Sequence, residues 1–139
     1  MGINISPNIN ENGGYRNLTW VLVALGGAIG SLLRFSVGRF SSSYFGTTLL
    51  GTLAVNVTGS FALGFLLGLT WDKPPLPYHL RNFLAVGLLG GYTTFSTLTV
   101  ESLQLLDSGS FSRAAINILS NMIIGLLAAY LGILLGKTI

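Results

Sequence analysis

Four long apolar runs, separated by short polar or proline-bearing segments, set the pattern of this chain. The first runs from about Leu18 to Phe35 and the second from about Thr47 to Leu69. The third covers about Arg81 to Leu106, and the fourth about Ala114 to Leu135. A helix of roughly 20 apolar residues crosses a hydrocarbon core of about 30 Å, so each run predicts a transmembrane helix. A polar turn, Gly38-Arg39-Phe40-Ser41-Ser42-Ser43, is expected between the first two. Trp71-Asp72-Lys73-Pro74-Pro75 divides the second from the third, because proline lacks an amide proton and restricts the residue before it. Asp107-Ser108-Gly109-Ser110 divides the third from the fourth. Residues 1–17 are polar and show no hydrophobic period, so they read as a disordered or loosely attached tail before a four-helix domain at 18–139.

The third run differs from the others. Gly90-Gly91-Tyr92-Thr93-Thr94-Phe95-Ser96-Thr97, in its middle, makes a poor helix interior. In hydrocarbon an interrupted helix is tolerated only where protein, water or an ion satisfies the freed backbone groups. The third helix is therefore expected to be broken at mid-membrane depth, and the break points to a transport site.

Composition fits this reading. Of 139 residues, 50% are hydrophobic and 8% charged, against roughly a quarter charged in a soluble domain. Mean hydropathy is +0.69. Glycines recur four apart at Gly26/Gly30, Gly64/Gly68, Gly87/Gly91 and Gly132/Gly136, a spacing that lets membrane helices approach closely. The cations are scattered singly, with no basic stripe for nucleic acid. The chain has no cysteine, and its one histidine, His79, is expected to be solvated in a loop.

Lys and Arg also bear on topology. With both termini on one side, Arg16, Lys73, Arg81 and Lys137 share it, and Arg34, Arg39 and Arg113 lie opposite. Four against three gives almost no orienting bias. Copies are expected to insert both ways and to pair as an antiparallel, dual-topology homodimer.

Polar positions within the spans carry the candidate chemistry. On the second span Thr48, Thr52, Asn56 and Ser60 share one helix face. The fourth carries Asn117, Ser120 and Asn121, and the third carries Thr93, Thr94, Ser96, Thr97 and Thr99 before Glu101. One such stripe serves as interhelical glue, whereas three suggest a lined path. Uncharged donors, without an embedded row of Lys or Arg and without an acidic ring, suit a small hydrated anion that must also leave. Phe95 adds the electropositive edge of its ring. Glu101 can pair with a cation or cap a helix. No nucleophile–base pair, acid pair or phosphate loop is present, so an enzyme is not expected.

These residues resemble the Fluc, or CrcB, fluoride channels. The likeness rests on Gly26-Gly27-Ala28-Ile29-Gly30 with Arg34, on Gly51-Thr52-Leu53-Ala54-Val55-Asn56-Val57-Thr58-Gly59-Ser60-Phe61, and on Gly90 to Thr97 with Glu101. It covers almost all of residues 18–136. It implies a passive fluoride channel of the bacterial plasma or inner membrane that confers fluoride resistance, with two pores per antiparallel dimer. It also implies a structural sodium ion at the dimer centre, held by backbone carbonyls matching Gly90 and Thr93. Asn56, Phe95, Thr94, Ser96 and Thr97 would line the fluoride pore together with Asn117 and Asn121, and Arg34 would stand at a vestibule. Glu101 matches the family's acidic position. Two departures stand out: Leu98 replaces a common second phenylalanine, and Asn117 and Asn121 replace a frequent tyrosine and serine.

Two other functions compete with the channel. A small proton-coupled multidrug exporter calls for a carboxylate deep in a span, and Glu101 lies near the end of its segment. A non-transporting membrane scaffold would use the polar stripes as glue alone, and would leave the break unexplained.

Overall fold

The computed structural model describes residues 13–139, with side chains described from residue 17 onward. Most of the expected tail, residues 1–12, lies outside the described residues, and the first helix begins inside the rest, at Gly13. All regular secondary structure among the described residues is helical. Four stretches are long and apolar enough to cross a membrane: Asn17–Phe45, Leu49–Leu69, Tyr78–Asp107 and Phe111–Thr138. This is a multi-pass membrane protein.

Helix α1 spans Gly13–Phe45 and α2 spans Leu49–Leu69. At 33 residues, α1 is longer than expected and passes straight through the turn foreseen at 38–43. Tertiary contact with the start of α2 explains the difference. Ser41 is buried and donates to Thr47 O at 2.7 Å, and a Cβ on Gly51 would lie only 3.1 Å from Gly38 Cα. That packing holds residues of modest helix propensity in the helix. The turn falls instead at Gly46, whose φ of 68° suits only glycine well.

The third span is composite. It begins as α3 (Tyr78–Arg81), continues as a π-helical segment (Asn82–Leu89) and ends its first half as α4 (Gly90–Tyr92). Thr93 (φ −83°, ψ 158°) and Thr94 (φ −151°, ψ 119°) are extended. Helix α5 (Phe95–Asp107) then resumes, and α6 (Phe111–Thr138) follows a turn at Gly109. His79 lies in α3, half-buried, with Nδ1 2.8 Å from Thr19 Oγ1 on α1. The loop expectation for it is corrected: residues after Pro77 re-enter helix at once, and α3 packs against α1.

Glycine organises the packing into two helix pairs. On α1 and the first half of the third span, a Cβ on Gly26 would meet Phe83 O at 2.6 Å, and one on Gly91 would meet Gly27 O at 2.7 Å. Between α2 and α6, a Cβ on Gly132 would come within 2.8 Å of Phe65 N, and one on Gly136 within 2.7 Å of Leu69 N. All four predicted glycine pairs therefore sit at backbone-to-backbone contacts. Beyond the extended residues, α5 leaves α1 and packs on α6. The interruption is where the third span changes partners. At the far end of the second pair, Lys137 Nζ lies 3.6 Å from the centre of the Trp71 ring, tying the end of α6 to that of α2.

Candidate functional site

Of the two extended residues, Thr94 is held in place by α2, while Thr93 N–H and Oγ1 both donate to Leu89 O. Thr94 N–H donates to Asn56 Oδ1 at 2.8 Å, and Asn56 Nδ2 donates back to Thr94 O at 3.0 Å. One amide side chain thus pairs with a backbone residue as a neighbouring strand would. Thr94 also begins α5: its Oγ1 accepts from Thr97 N–H at 3.2 Å as the N-cap, and contacts Thr97 Oγ1 at 3.0 Å and Ser96 Oγ at 3.2 Å.

This arrangement has a direct consequence for two carbonyls. In an unbroken α-helix, the N–H groups of Thr94 and Thr97 would bond the carbonyls four residues back, at Gly90 and Thr93. Here both donors are taken elsewhere, by Asn56 Oδ1 and Thr94 Oγ1. The carbonyls freed from the ladder belong to the two residues that the family resemblance assigns to sodium. Among the described residues, no three His, Cys, Asp or Glu side chains come together in a way that could hold a metal ion. Freed backbone oxygens are the donor set that suits a hard cation here.

Asn56 has a third bond, from Nδ2 to Asn121 Oδ1 at 2.9 Å. Asn121 Nδ2 donates to Asn117 O at 2.9 Å; Asn117 Nδ2 donates to Ser102 Oγ at 3.1 Å, and Ser102 to Leu98 O at 2.7 Å. The asparagines foreseen on the fourth span are therefore both buried and linked to Asn56 or to α5. A cavity of about 380 Å³ opens beside them, walled by α2, α6 and both halves of the third span. Asn56, Ser60, Thr93, Thr94 and Asn121 give it polar groups, and Leu63, Leu89 and Leu126 its apolar wall.

The other foreseen residues divide into four groups. Phe95 lines the cavity yet is 68% exposed, with Ser96 and Thr97 exposed beside it. Leu98, where the family often has phenylalanine, is 2% exposed and packs within the protomer. Arg34 lies on α1, which contributes nothing to the cavity wall. Glu101 is buried at the amino end of α2, where Thr48 Oγ1 donates to its Oε1 at 2.5 Å and Oε2 has no partner.

Thr48 is the N-cap residue of α2, but its hydroxyl goes to Glu101 instead of capping. Thr48→Val would strip the buried carboxyl group of Glu101 of this donor. The expected loss is about 1–3 kcal/mol of stability, the cost of leaving a buried polar group unsatisfied. It is read as a lower Tm in detergent, with Thr48→Ser close to the unsubstituted protein.

Tyr92 and Thr58 carried no expectation. Thr58 donates to Ala54 O at 2.7 Å, so its contact with the Tyr92 hydroxyl, at 3.0 Å, has tyrosine as donor. That bond fixes the last residue of α4 to α2, two positions from Asn56. The signal available was Thr58 itself, a third polar residue beside Asn56 but off the main stripe.

Comparison with known proteins bears on this geometry. The profile of the family described as "CrcB-like protein, Camphor Resistance (CrcB)" matches residues 21–133. A protein named fluoride-specific ion channel FluC, from Sulfurihydrogenibium sp. (strain YO3AOP1), is 43% identical over 119 residues, 85% of this chain and 96% of its own length. A protein of the same name from Magnetococcus marinus is 42% identical over 88% of this chain and 98% of its own. Another, from Thermus thermophilus, is 45% identical over 84% and 92%. With a profile match and identities of this extent, the chain belongs to the CrcB-like family.

Proposed function

We propose that this chain is a passive, fluoride-selective channel through which cytoplasmic fluoride leaves down its electrochemical gradient. One observation carries the reading: extended backbone at Thr93 and Thr94, bracketed by Asn56 beside a partly polar cavity between apolar helices. The relatives' name supplies the ion, and the residues give it a chemical basis. A small anion that sheds water needs N–H and O–H donors in return. Asn56 offers an amide, Ser96 and Thr97 offer hydroxyls, and Phe95 offers its ring edge. No Lys or Arg lines the cavity to trap the ion, and weak multiple contacts let it leave.

In this reading the working unit is an antiparallel, dual-topology homodimer with two pores. The four-to-three charge balance supports it. So does Gly90. Its φ of −64° and ψ of −37° suit any residue, and a Cβ there would meet only Ala85 O, at 3.7 Å. Nothing inside the protomer requires glycine at that position, which borders the same cavity as Asn56, and a second copy closing that cavity would account for it. The freed carbonyls of Gly90 and Thr93, with their counterparts in that copy, would hold the sodium ion. A cation so placed supplies positive charge that lowers the cost of a nearby anion in low dielectric. Arg34 would draw anions toward the vestibule.

Export follows from weak-acid chemistry. Neutral HF crosses lipid and dissociates to H⁺ and F⁻ in a near-neutral cytoplasm, where the anion is confined unless a channel opens a way out.

Fluoride efflux from liposomes holding the purified protein tests the proposal, read by a fluoride electrode with chloride as control. Rapid fluoride loss without chloride loss is expected. A well-folded protein that passes no fluoride would overturn it.

A further inference from the structure

An asparagine amide carries two donor hydrogens, and both of those on Asn56 are spent within the protein. One goes to Thr94 O at 3.0 Å and the other to Asn121 Oδ1 at 2.9 Å. Neither side chain can turn over without loss. A reversed Asn56 would set its oxygen against Thr94 O and Asn121 Oδ1, and its NH₂ against the N–H of Thr94, which now donates to it at 2.8 Å. A reversed Asn121 would lose the bond from its Nδ2 to Asn117 O, 2.9 Å, and leave two oxygens facing each other. Asn121 is 5% exposed and lines the same cavity as Asn56.

The two hydrogens are not equivalent. The one on Thr94 O helps keep that residue extended, and with it the freed carbonyls. The one on Asn121 holds no backbone in place, so it is the hydrogen an ion in the cavity can take. We propose that Asn121 is a positioning residue that competes with the permeating anion for the second amide hydrogen of Asn56. Its carbonyl oxygen occupies the donor when the ion is absent and yields it when the ion arrives. Entry exchanges one acceptor for another, and exit reverses the exchange. Net binding is weak in consequence, as conduction requires. The inference rests on the fluoride-channel reading above and adds a residue that sets how tightly that channel holds its ion.

Fluoride currents in planar bilayers at graded fluoride concentration separate half-saturation from the maximum. Asn121→Leu keeps similar bulk but has no acceptor. Its half-saturating fluoride concentration should fall about threefold to tenfold, the range one neutral hydrogen bond contributes. Its maximal current should fall as well, because the ion leaves more slowly. A merely structural role would lower the current without tightening half-saturation. An unchanged or raised half-saturating concentration, in a variant that conducts, would overturn the inference while the channel reading stands. Absence of current in the unsubstituted protein would overturn both. Should Asn121→Leu not assemble, Asn121→Ala is read in the same way; failure of both to assemble would make Asn121 a structural strut and overturn the proposal.

Discussion

Asn56→Leu should abolish fluoride efflux, with a loss of about 100-fold or more. The substitution removes three hydrogen bonds at once: to Thr94 O, from Thr94 N–H and to Asn121 Oδ1. Two of the orphaned groups are backbone, in a region where water is scarce, and each unsatisfied buried group costs about 1–3 kcal/mol. A total of about 3–9 kcal/mol for the three groups corresponds to roughly a hundredfold effect or more on a site's population. The chain has one cheap way to recover. Thr94 N–H can return to the carbonyl of Gly90, extending α4 by a residue and closing the carbonyl that the interruption had freed. Loss of the bracket is thus expected to remove the pore amide and the cation ligand together. Asn56→Asp separates these contributions. It keeps an oxygen for Thr94 N–H but sets a second oxygen against Thr94 O and Asn121 Oδ1. Its efflux should also be lost, whereas circular dichroism should show the extended segment better preserved than in the leucine variant. Normal efflux from Asn56→Leu would remove Asn56 from the path.

The sequence made the frame legible because its signals are local. Runs of apolar residues mark spans wherever a bilayer is the solvent, and glycines four apart mark close helix contacts, as Gly26 with Gly30 and Gly132 with Gly136 prove to do. The interruption was legible for a related reason: Gly90-Gly91 before a Thr/Ser cluster has poor helix propensity from either side. What could not be read depends on partners far along the chain. Ser41 to Ser43 look like a turn until the contact with Gly51 and Thr47 is known. The π-helical geometry of Asn82–Leu89 has no periodic signature, since a short, mostly apolar run satisfies several helical pitches equally well. At the site, residue types on one helix face were visible, but the direction of each amide was not. Asn56 could be named as a donor from its position alone. That its oxygen faces Thr94 N–H follows from the N–H and carbonyl of Thr94 together, with Asn121 and Asn117 closing the remaining choice.

Alanine at Gly30 and alanine at Gly90 should both silence the protein, for opposite reasons. A Cβ on Gly30 would lie 2.8 Å from Tyr92 N and 3.1 Å from Gly91 C, which are backbone atoms that cannot move aside. Helix α1 would be forced away from α4, and overpacking of this kind costs about 1–3 kcal/mol or more. Gly30→Ala is therefore expected to give poor yields, early unfolding in detergent and no efflux. Gly90 has helical dihedrals and only Ala85 O near a new Cβ, at 3.7 Å. Alanine there relieves the helix of a glycine worth about 1 kcal/mol, so the protomer should fold at least as well. The added methyl instead enters the cavity that Gly90 lines with Asn56, where the proposed function would place a second copy and a shared cation. Gly90→Ala should keep its helical content, lose dimers on gel filtration and cross-linking, and lose fluoride efflux by about 100-fold, as expected where freed carbonyls remain unsatisfied in hydrocarbon at several kcal/mol each. The contrast carries the test, because a defect in folding cannot imitate a stable protomer that fails to pair. Stable dimers with normal efflux from Gly90→Ala would move the dimer centre away from Gly90 and remove the reason for a cation there.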